Sequence, residues 1–246
     1  IIPPTGSPLR PNVHLSAAVK EVVDVPVLVV GRINDPRIAE DILNRNEADM
    51  VVMGRALLAD PEFPNKAAQG RFDDIRPCVG CGLGCIAVRN AGKDMTCVLN
   101  PALGREREMT LSPAARPKNV MVAGGGPGGL EAARVAALRG HKVTLYEKGS
   151  KVGGQLNLAA AVPFRQEISK IPKYFSAQSE KAGVAIRLNT EVTEELVREV
   201  QPDVLIVATG AEPLVPNIPG VGGDRVVSAH DVLGDKVAVL PGNVLI

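Results

Sequence analysis

The sequence predicts an α/β protein in which parallel strands alternate with helices, and three observations support this fold class. Short apolar runs of strand length recur along the chain with helical stretches between them, which is the pattern of βαβ units. Glycine and proline are abundant, at 25 and 20 residues, as tight turns between such units require. Apolar residues make up 45% of the 246 residues, which is enough for one or two domains with buried cores.

Residues 1–75 are predicted to form two β/α units. The runs 25–30 and 48–53 are continuously apolar, so we expect parallel strands that are buried on both faces. A helix is predicted at 36–44, and a second is expected to start near Asp60, which can cap it, with proline in the first turn. Two such units cannot close a barrel or complete a sheet, so further strands must come from elsewhere.

Residues 76–110 form a short segment that holds every cysteine of the chain in a C-x2-C-x3-C-x11-C pattern. Four thiolates joined by short loops can surround a tetrahedral zinc ion or an iron–sulfur cluster. Interspersed glycines let the backbone curl around a small inorganic centre. Two disulfides are the alternative, but a metal centre is favoured because the N-terminus does not resemble a signal peptide. The candidate ligands are Cys78, Cys81, Cys85 and Cys97.

Residues 111–118 have the composition of a linker, and residues 119–246 are predicted to form a second α/β unit. A helix is predicted at 127–139. Strands are predicted at 119–123, 142–146, 184–188, 203–208 and 242–246. Since the last strand lacks a following turn and the chain begins part-way through a β/α pattern, we expect it to be a fragment of a longer polypeptide.

A G-x-G-x-x-G motif joins the first strand and helix of this second unit, and an acidic residue, Glu147, ends the next strand. That context is typical of a dinucleotide-binding turn. Gly124 would permit the tight turn, Gly126 would let the backbone approach a pyrophosphate, and Gly129 would let helix and strand pack closely. Glu147 would accept hydrogen bonds from ribose hydroxyls and disfavour a 2′-phosphate, so NADP is not expected at this site. The turn also includes Pro127 and Gly128.

Two further segments favour FAD over NAD. Gly154 and Gln155 follow the acidic residue closely, where a loop could contact the flavin side of the pyrophosphate. Ala208, Thr209 and Gly210 follow a later strand, and their small size permits close approach to a nucleotide. We therefore predict FAD at this site, with an ordinary loop as the alternative interpretation of each segment.

The charge and hydropathy of the chain exclude several kinds of partner. The net charge is +1 with no basic block, so neither nucleic acid nor a charged membrane surface is an expected partner. No apolar run approaches the roughly 18 residues that a membrane helix needs, and no signal peptide is evident. These features predict a cytoplasmic protein and are compatible with a homo-oligomer.

The order of these features resembles the multidomain NADH:flavin oxidoreductases, the group that includes 2,4-dienoyl-CoA reductase, 2-enoate reductase and trimethylamine dehydrogenase. The resemblance covers essentially the whole chain and is carried by PVLVVGRINDP, ADMVVMGRALLADP, IRPCVGCGLGC, TCVLNPALGRE and the glycine-rich turn. It implies the C-terminal part of an FMN-binding TIM barrel over 1–75, a [4Fe-4S] cluster at the four cysteines, and an incomplete FAD domain over 119–246. ADP is the alternative to FAD in this family.

The resemblance also assigns the loops that follow the two barrel strands, where TIM barrels often hold phosphate. Gly31 and Arg32 follow the first strand, and Gly54 and Arg55 follow the second. By resemblance they would hold the FMN phosphate through backbone N–H groups and guanidinium charge. Apart from the family, an arginine in such a position is more often a surface cation.

For the whole enzyme the resemblance implies a relay from NADH or NADPH through FAD and the cluster to FMN, which reduces an activated C=C bond of an enoyl or dienoyl compound. The three residues between the second and third cysteine favour this reductase branch. One alternative is an amine dehydrogenase or demethylase, with electrons flowing the other way. Another, of a different class, is a zinc-stabilised nucleotide-binding module without redox chemistry.

No catalytic acid is assigned. In the family, the residues that bind and protonate the substrate lie on earlier barrel strands, and the NADH motif would follow Ile246. We expect the tyrosines and histidines of this chain to be structural or at the surface. They are Tyr146, Tyr174, His14, His141 and His230.

Overall fold

A computed structural model describes residues 2–224 and 226–237. The strands are β1 (Leu28–Val30), β2 (Met50–Val52), β3 (Asn119–Ala123), β4 (Lys142–Tyr146), β5 (Ala185–Arg187) and β6 (Val204–Val207). The α-helices are α1 (Val13–Lys20), α2 (Pro36–Asn44), α3 (Arg55–Ala59), α4 (Phe63–Ala68), α5 (Val88–Asn90), α6 (Pro127–Leu138), α7 (Gln155–Ala161), α8 (Lys170–Lys181), α9 (Glu194–Val200) and α10 (Ala229–Leu233). Leu83–Ala87 forms a π-helical stretch that runs directly into α5.

The strands form two parallel sheets, which confirms the predicted α/β fold class. β1 pairs with β2 in one sheet, with Val29 opposite Val51. The other sheet has the order β5-β4-β3-β6, so β3 lies between β4 and β6. Because parallel strands present their carboxyl ends at one edge of a sheet, the turn after β3 lies beside the ends of β4 and β6.

The four-stranded sheet is held by a core between its strands and helices α6 and α8. Val122 of β3, Leu145 of β4 and Leu130 of α6 are completely buried. Phe175 of α8 packs into the same cluster, and the buried Ser179 hydroxyl donates to the Leu130 carbonyl at 3.2 Å. This packing fixes the position of α6, and with it the glycine-rich turn from which α6 starts.

The prediction that the first two strands are buried on both faces is wrong for the described chain. Val29 is buried, whereas its neighbours Leu28 and Val30 are each 54% exposed. Met50 and Val52 of β2 are also exposed. Among the described residues, helices pack against only one face of this two-stranded sheet, so side chains on the other face remain in contact with solvent.

The helix expected to start near Asp60 is α4, whose first residue is Phe63. The sequence first forms α3, which ends where the Asp60 N–H donates to the Ala56 carbonyl at 2.9 Å, and α4 starts at Phe63. The buried Asp60 carboxylate accepts from Lys66 Nζ at 2.6 Å and from the Arg76 backbone N–H at 2.7 Å. It therefore ties α4 to the start of the cysteine segment. The other carboxylate oxygen of Asp60 accepts from the Glu62 N–H at 3.1 Å, in the turn that leads into α4.

Asp60→Ala should lower the free energy of unfolding by about 3 kcal/mol, because it removes a buried acceptor from the Lys66 ammonium group and the Arg76 N–H. Urea denaturation followed by circular dichroism measures the change. Arg198→Ala is the matched control, since it breaks an exposed pair with Glu194 that should contribute about 0.5 kcal/mol or less. Equal effects of the two variants would contradict the structural role of Asp60.

The remaining predicted elements lie close to the observed ones. The structure places β3 and β4 at the predicted positions, and α6 ends one residue before the predicted end. Residues 111–118 contain neither helix nor strand. The strand predicted at 242–246 lies outside the described residues. Within the described ranges, no helix has the length and apolar character needed to cross a membrane.

Candidate functional site

The four cysteines line one small cavity, which we call the cysteine cavity. All four are free thiols, so the disulfide alternative is not realised in this structure. Cys81 is exposed and the other three are partly buried. The cavity has a volume of about 20 Å³, which is room for roughly one water molecule. Arg55 and Leu58 of α3 complete its wall on the side of the β1–β2 unit.

Close packing at Gly84 brings the two ends of the cysteine segment together. A Cβ atom at this position would lie 2.5 Å from the Thr96 carbonyl oxygen. The Thr96 N–H donates to the Gly84 carbonyl at 3.0 Å. Since Cys85 and Cys97 directly follow these two residues, glycine at position 84 allows both thiols to face the same cavity.

The backbone of the first cysteine loop is held by polar groups from the start of the chain. Asn34 Nδ2 donates to the Cys78 carbonyl at 2.7 Å, and the Thr5 N–H donates to the Gly80 carbonyl at 2.9 Å. The Thr5 hydroxyl donates to the Val79 carbonyl. The sequence analysis did not identify Thr5 or Asn34, because contacts to backbone carbonyls of distant residues leave no local pattern.

The surroundings of Cys78 oppose a free thiolate. Burial raises the pKa of the Cys78 thiol, and the nearby Cys97 and Cys81 add to the rise. The Gly80 N–H and the Arg55 guanidinium act in the opposite direction on the same pKa. A thiol with a raised pKa is largely protonated near neutral pH, so a thiolate at this position needs a compensating cation such as a metal.

The donor set fits a thiolate-ligated centre, although the thiols do not converge on one point in this structure. In the part of the chain that is described, no group of three or more histidine, cysteine, aspartate or glutamate side chains is arranged to hold a metal ion. The cysteine cavity is lined by sulfur donors, without carboxylate or imidazole groups among its described residues. Such ligands suit zinc and iron–sulfur clusters, so the residue chemistry is compatible with both.

The turn between β3 and α6 contains two glycines that the fold itself requires. A Cβ atom on Gly124 would clash with the Ala208 carbonyl oxygen just after β6, and one on Gly129 would clash with the Gly124 carbonyl oxygen. Gly126 differs, since a Cβ atom there would meet nothing within 4 Å. The space beside Gly126 is therefore open, as the approach of a pyrophosphate requires.

Gly129→Ala should destabilise the dinucleotide unit whether or not a nucleotide is bound. The added methyl group overlaps a backbone carbonyl that cannot rotate away, and we expect a loss of about 3 kcal/mol. Thermal unfolding of nucleotide-free protein measures the loss. Gly128→Ala is the matched control, because its methyl group would meet nothing within 4 Å. A melting temperature unchanged in Gly129→Ala would contradict the close packing of α6 on the sheet.

Glu147 lies at the edge of a second cavity of about 330 Å³, which we call the nucleotide cavity. Glu147 Oε2 accepts from the Gly125 N–H at 2.8 Å, and Oε1 accepts from the Gly149 N–H at 2.7 Å. These bonds fix the carboxylate beside the glycine-rich turn. Gly124 and Thr209 line the same cavity, so the structure brings together residues that the sequence placed at three separate strand ends.

Gly154 and Gln155 also lie beside the glycine-rich turn. A Cβ atom on Gly154 would be 3.4 Å from the Gly126 Cα. Gln155 starts α7, and its Nε2 donates to the Ala211 carbonyl at 2.8 Å in the loop after β6. Gly210, in that loop, lines the nucleotide cavity. The segment after β4 and the loop after β6 are therefore joined across the turn.

Arg32, predicted to hold the FMN phosphate together with Gly31, is a buried residue at the contact between the two α/β units. Its guanidinium forms an ion pair with Glu167 and donates to the Pro4 carbonyl. The side chain is only 2% exposed, and its Nε has no hydrogen-bond partner among the described residues. The sequence did not indicate Glu167, because 135 residues separate the two side chains.

Gly54 and Arg55, the other two residues predicted at the FMN phosphate, lie at the start of α3. Gly54 is open, since a Cβ atom there would meet nothing within 4 Å. Arg55 is partly buried, and its Nη2 donates to the Pro3 carbonyl at 2.8 Å. Arg55 also lines the cysteine cavity, a position that the phosphate prediction did not anticipate.

The tyrosines and histidines have structural or surface surroundings where their contacts are defined. Tyr174 is buried in α8, where burial raises its pKa and the Arg76 guanidinium lies 5.8 Å from the ring centre. His141 Nδ1 accepts from the Lys118 N–H at 3.1 Å, and His14 is exposed on α1. The others, Tyr146 and His230, lie in β4 and α10.

Two protein families match the chain. Residues 7–74 match the NADH:flavin oxidoreductase / NADH oxidase family. Residues 118–244 match the pyridine nucleotide-disulphide oxidoreductase family. The cysteine segment lies between the two matches.

Curated relatives with different oxidoreductase names match most of the chain. A metal reductase from Desulforamulus reducens is 43% identical, over 91% of this chain and 34% of its own length. A cinnamate reductase from Clostridium sporogenes is 39% identical, over 92% of this chain and 35% of its own length. An N,N-dimethylglycine/sarcosine dehydrogenase from Chromohalobacter salexigens is 41% identical, over 100% of this chain and 37% of its own length. The chain thus spans about a third of the length of these relatives.

A solved structure of 2-naphthoyl-CoA reductase with 2-naphthoyl-CoA superposes on the chain with a TM-score of 0.93 at 34% identity. The match covers 97% of this chain and 36% of that one. The β1–β2 unit, the cysteine segment and the dinucleotide unit are therefore arranged as in that protein. Together with the family matches, this confirms the prediction of a partial TIM barrel followed by a Rossmann-like domain.

Proposed function

The chain belongs to the NADH:flavin oxidoreductases that also carry a pyridine nucleotide-disulphide oxidoreductase domain, and on this premise we propose that the full-length protein reduces an activated C=C bond of a small molecule. When bound, NADH or NADPH, FAD, a [4Fe-4S] cluster and FMN supply the hydride and electron transfer. One observation carries the proposal: four free thiols share a cavity between the matches to two oxidoreductase families.

The dinucleotide unit, residues 119–246, is assigned to FAD. The open space beside Gly126 accommodates the pyrophosphate, and the two N–H groups that hold Glu147 aim its carboxylate toward the ribose. Gly154 and Gln155 would flank the pyrophosphate from the start of α7, and Thr209, which lines the nucleotide cavity after β6, would border the nucleotide. ADP fits the same groups, because the flavin half of FAD lies beyond them.

The β1–β2 unit, residues 1–75, is assigned to the FMN phosphate. The unpartnered Nε of buried Arg32 supports this, because a buried guanidinium nitrogen without an acceptor is suited to an anion. Gly31 and Gly54 follow adjacent parallel strands, so both glycines lie at the same edge of the sheet, where their backbone N–H groups could bind a phosphate. Their role is to position the cofactor and exclude water around its phosphate.

The cysteine segment, residues 76–110, is assigned to the cluster, with all four cysteines as ligands. The packing at Gly84 and the hydrogen bonds from Thr5 and Asn34 hold the loops in which these cysteines lie. Bonds to backbone carbonyls leave the thiols free to bind metal. The role of these residues is therefore to preorganise the thiols, while a bound metal would supply the positive charge that stabilises a thiolate at the buried Cys78.

A second function, oxidation of an N-methyl amine, is favoured by one observation. The N,N-dimethylglycine/sarcosine dehydrogenase matches the whole of this chain at 41% identity. The residues described above are compatible with electron flow in either direction, and so with both reactions. The two functions differ in the substrate and in the nucleotide of the dinucleotide unit, which is FAD for the reductase and ADP for the dehydrogenase.

The test is an anaerobic assay of the full-length protein with two sets of substrates. One set pairs NADH or NADPH with cinnamate and enoyl-CoA esters, and the other pairs N-methylated glycines with an artificial electron acceptor. We expect oxidation of the nicotinamide cofactor that depends on the unsaturated compound, together with bound FAD. Amine-dependent reduction of the acceptor with bound ADP would establish the second function instead.

A further inference from the structure

We propose that Arg55 tunes the redox centre bound in the cysteine cavity. Its positive charge raises the reduction potential of that centre. This inference rests on the proposed function and goes beyond the phosphate role predicted for Arg55. It names a residue outside the four ligands that sets how readily the centre accepts an electron.

The position of Arg55 in the fold supports this role. Arg55 is the first residue of α3, three residues after the end of β2, and it lines the cavity that all four cysteines share. A hydrogen bond from Nη2 to the Pro3 carbonyl, at 2.8 Å, anchors the guanidinium. The side chain is partly buried, so it is less screened by solvent than a surface arginine.

The charge of Arg55 is not neutralised by a neighbouring carboxylate. Among the ion pairs of the described residues, none involves Arg55, whereas Arg32 is paired with Glu167. The cysteine cavity likewise has no acidic residue in its described lining. Arg55 is therefore the one charged residue in the described lining of this cavity, which otherwise consists of cysteines, glycines and apolar residues.

The direction in which Arg55 changes the reduction potential follows from electrostatics. Four thiolates make the bound centre anionic, and gaining an electron makes it more so. A fixed cation nearby stabilises the more negative, reduced state, and this stabilisation is larger where water is excluded. Removing the cation should therefore lower the reduction potential without removing a ligand.

The experiment is an anaerobic redox titration of the full-length protein, followed by electron paramagnetic resonance of the reduced centre. Arg55→Gln should shift the one-electron equilibrium of the centre toward the oxidised form by about tenfold, which lowers its reduction potential by about 59 mV. Arg55→Lys keeps a charge at the same position and should stay close to the wild-type potential. Arg89→Gln is the matched control, since Arg89 is an exposed arginine on α5 of the same segment.

Iron and FMN contents are measured on the same samples, so that the outcomes can be told apart. A wild-type protein without iron would overturn the proposed function and this inference with it. Normal iron with an unchanged potential in Arg55→Gln, even with reduced FMN, would overturn this inference alone. Arg55→Gln could also lose iron. In that case, an Arg55→Lys protein that keeps its iron and its reduction potential supports the role of charge. Loss of iron in both variants contradicts that role.

Discussion

Replacing Cys81 with serine should abolish the visible absorbance of the cluster and reduce electron transfer to FMN by at least about 100-fold. Each cysteine is one of only four donors, and a serine hydroxyl is a much weaker ligand because it does not ionise near neutral pH. Cys81 is the most informative of the four for mutation, since its exposed side chain contributes least to packing. FAD content should not change, because the nucleotide cavity is lined by other segments.

Leu83→Ala is the matched control for Cys81→Ser, since Leu83 is 63% exposed in the same loop and lacks a donor atom. It should retain the cluster. The measurement is the absorbance near 400 nm before and after dithionite, with iron determined on the same sample. Full absorbance in Cys81→Ser would refute the assignment of Cys81 as a ligand.

Replacing Gly126 with valine should lower the affinity for FAD by about 100-fold or more while leaving the fold intact. A Cβ atom at this position meets nothing within 4 Å, so we expect the valine side chain to occupy the approach of the pyrophosphate without disturbing the fold. Bound flavin, measured after gel filtration, and the affinity for added FAD report the effect. The melting temperature of nucleotide-free protein should stay near that of the wild type.

Gly222→Val is the matched control for this substitution, because a Cβ atom on Gly222 also meets nothing within 4 Å and Gly222 lies outside the glycine-rich turn. Its FAD content should equal that of the wild type. An unchanged FAD affinity in Gly126→Val would place the pyrophosphate elsewhere. Unfolding of Gly126→Val would show that the turn is packed more closely than the structure indicates.

The elements of the dinucleotide unit could be predicted because each depends on a local pattern. The apolar runs at β3 and β4 and the glycine-rich turn specify strand, turn and helix within about thirty residues. The sequence also identified Gly124, Gly126 and Gly129 as a group. It could not show that the Ala208 carbonyl closes the space beside Gly124, since that contact depends on how the end of β6 packs against the turn.

Other features were missed because they depend on residues that are far apart in the chain. The contact of Asp60 with the Arg76 N–H was missed because the local sequence does not reveal it. The exposure of β1 and β2 was missed because a continuous apolar run indicates burial only when both faces of the sheet are covered. The partnership of Arg32 with Glu167 likewise joins two separate units.

The central claim is that the four cysteines hold an iron–sulfur cluster between two flavin sites. The most direct test purifies the full-length protein anaerobically and quantifies iron, acid-labile sulfide, zinc and flavin on one sample. We predict about four iron and four sulfide per chain, with both FAD and FMN. One zinc per chain and no iron would contradict the claim and establish the cysteine segment as a structural zinc site in a nucleotide-binding module.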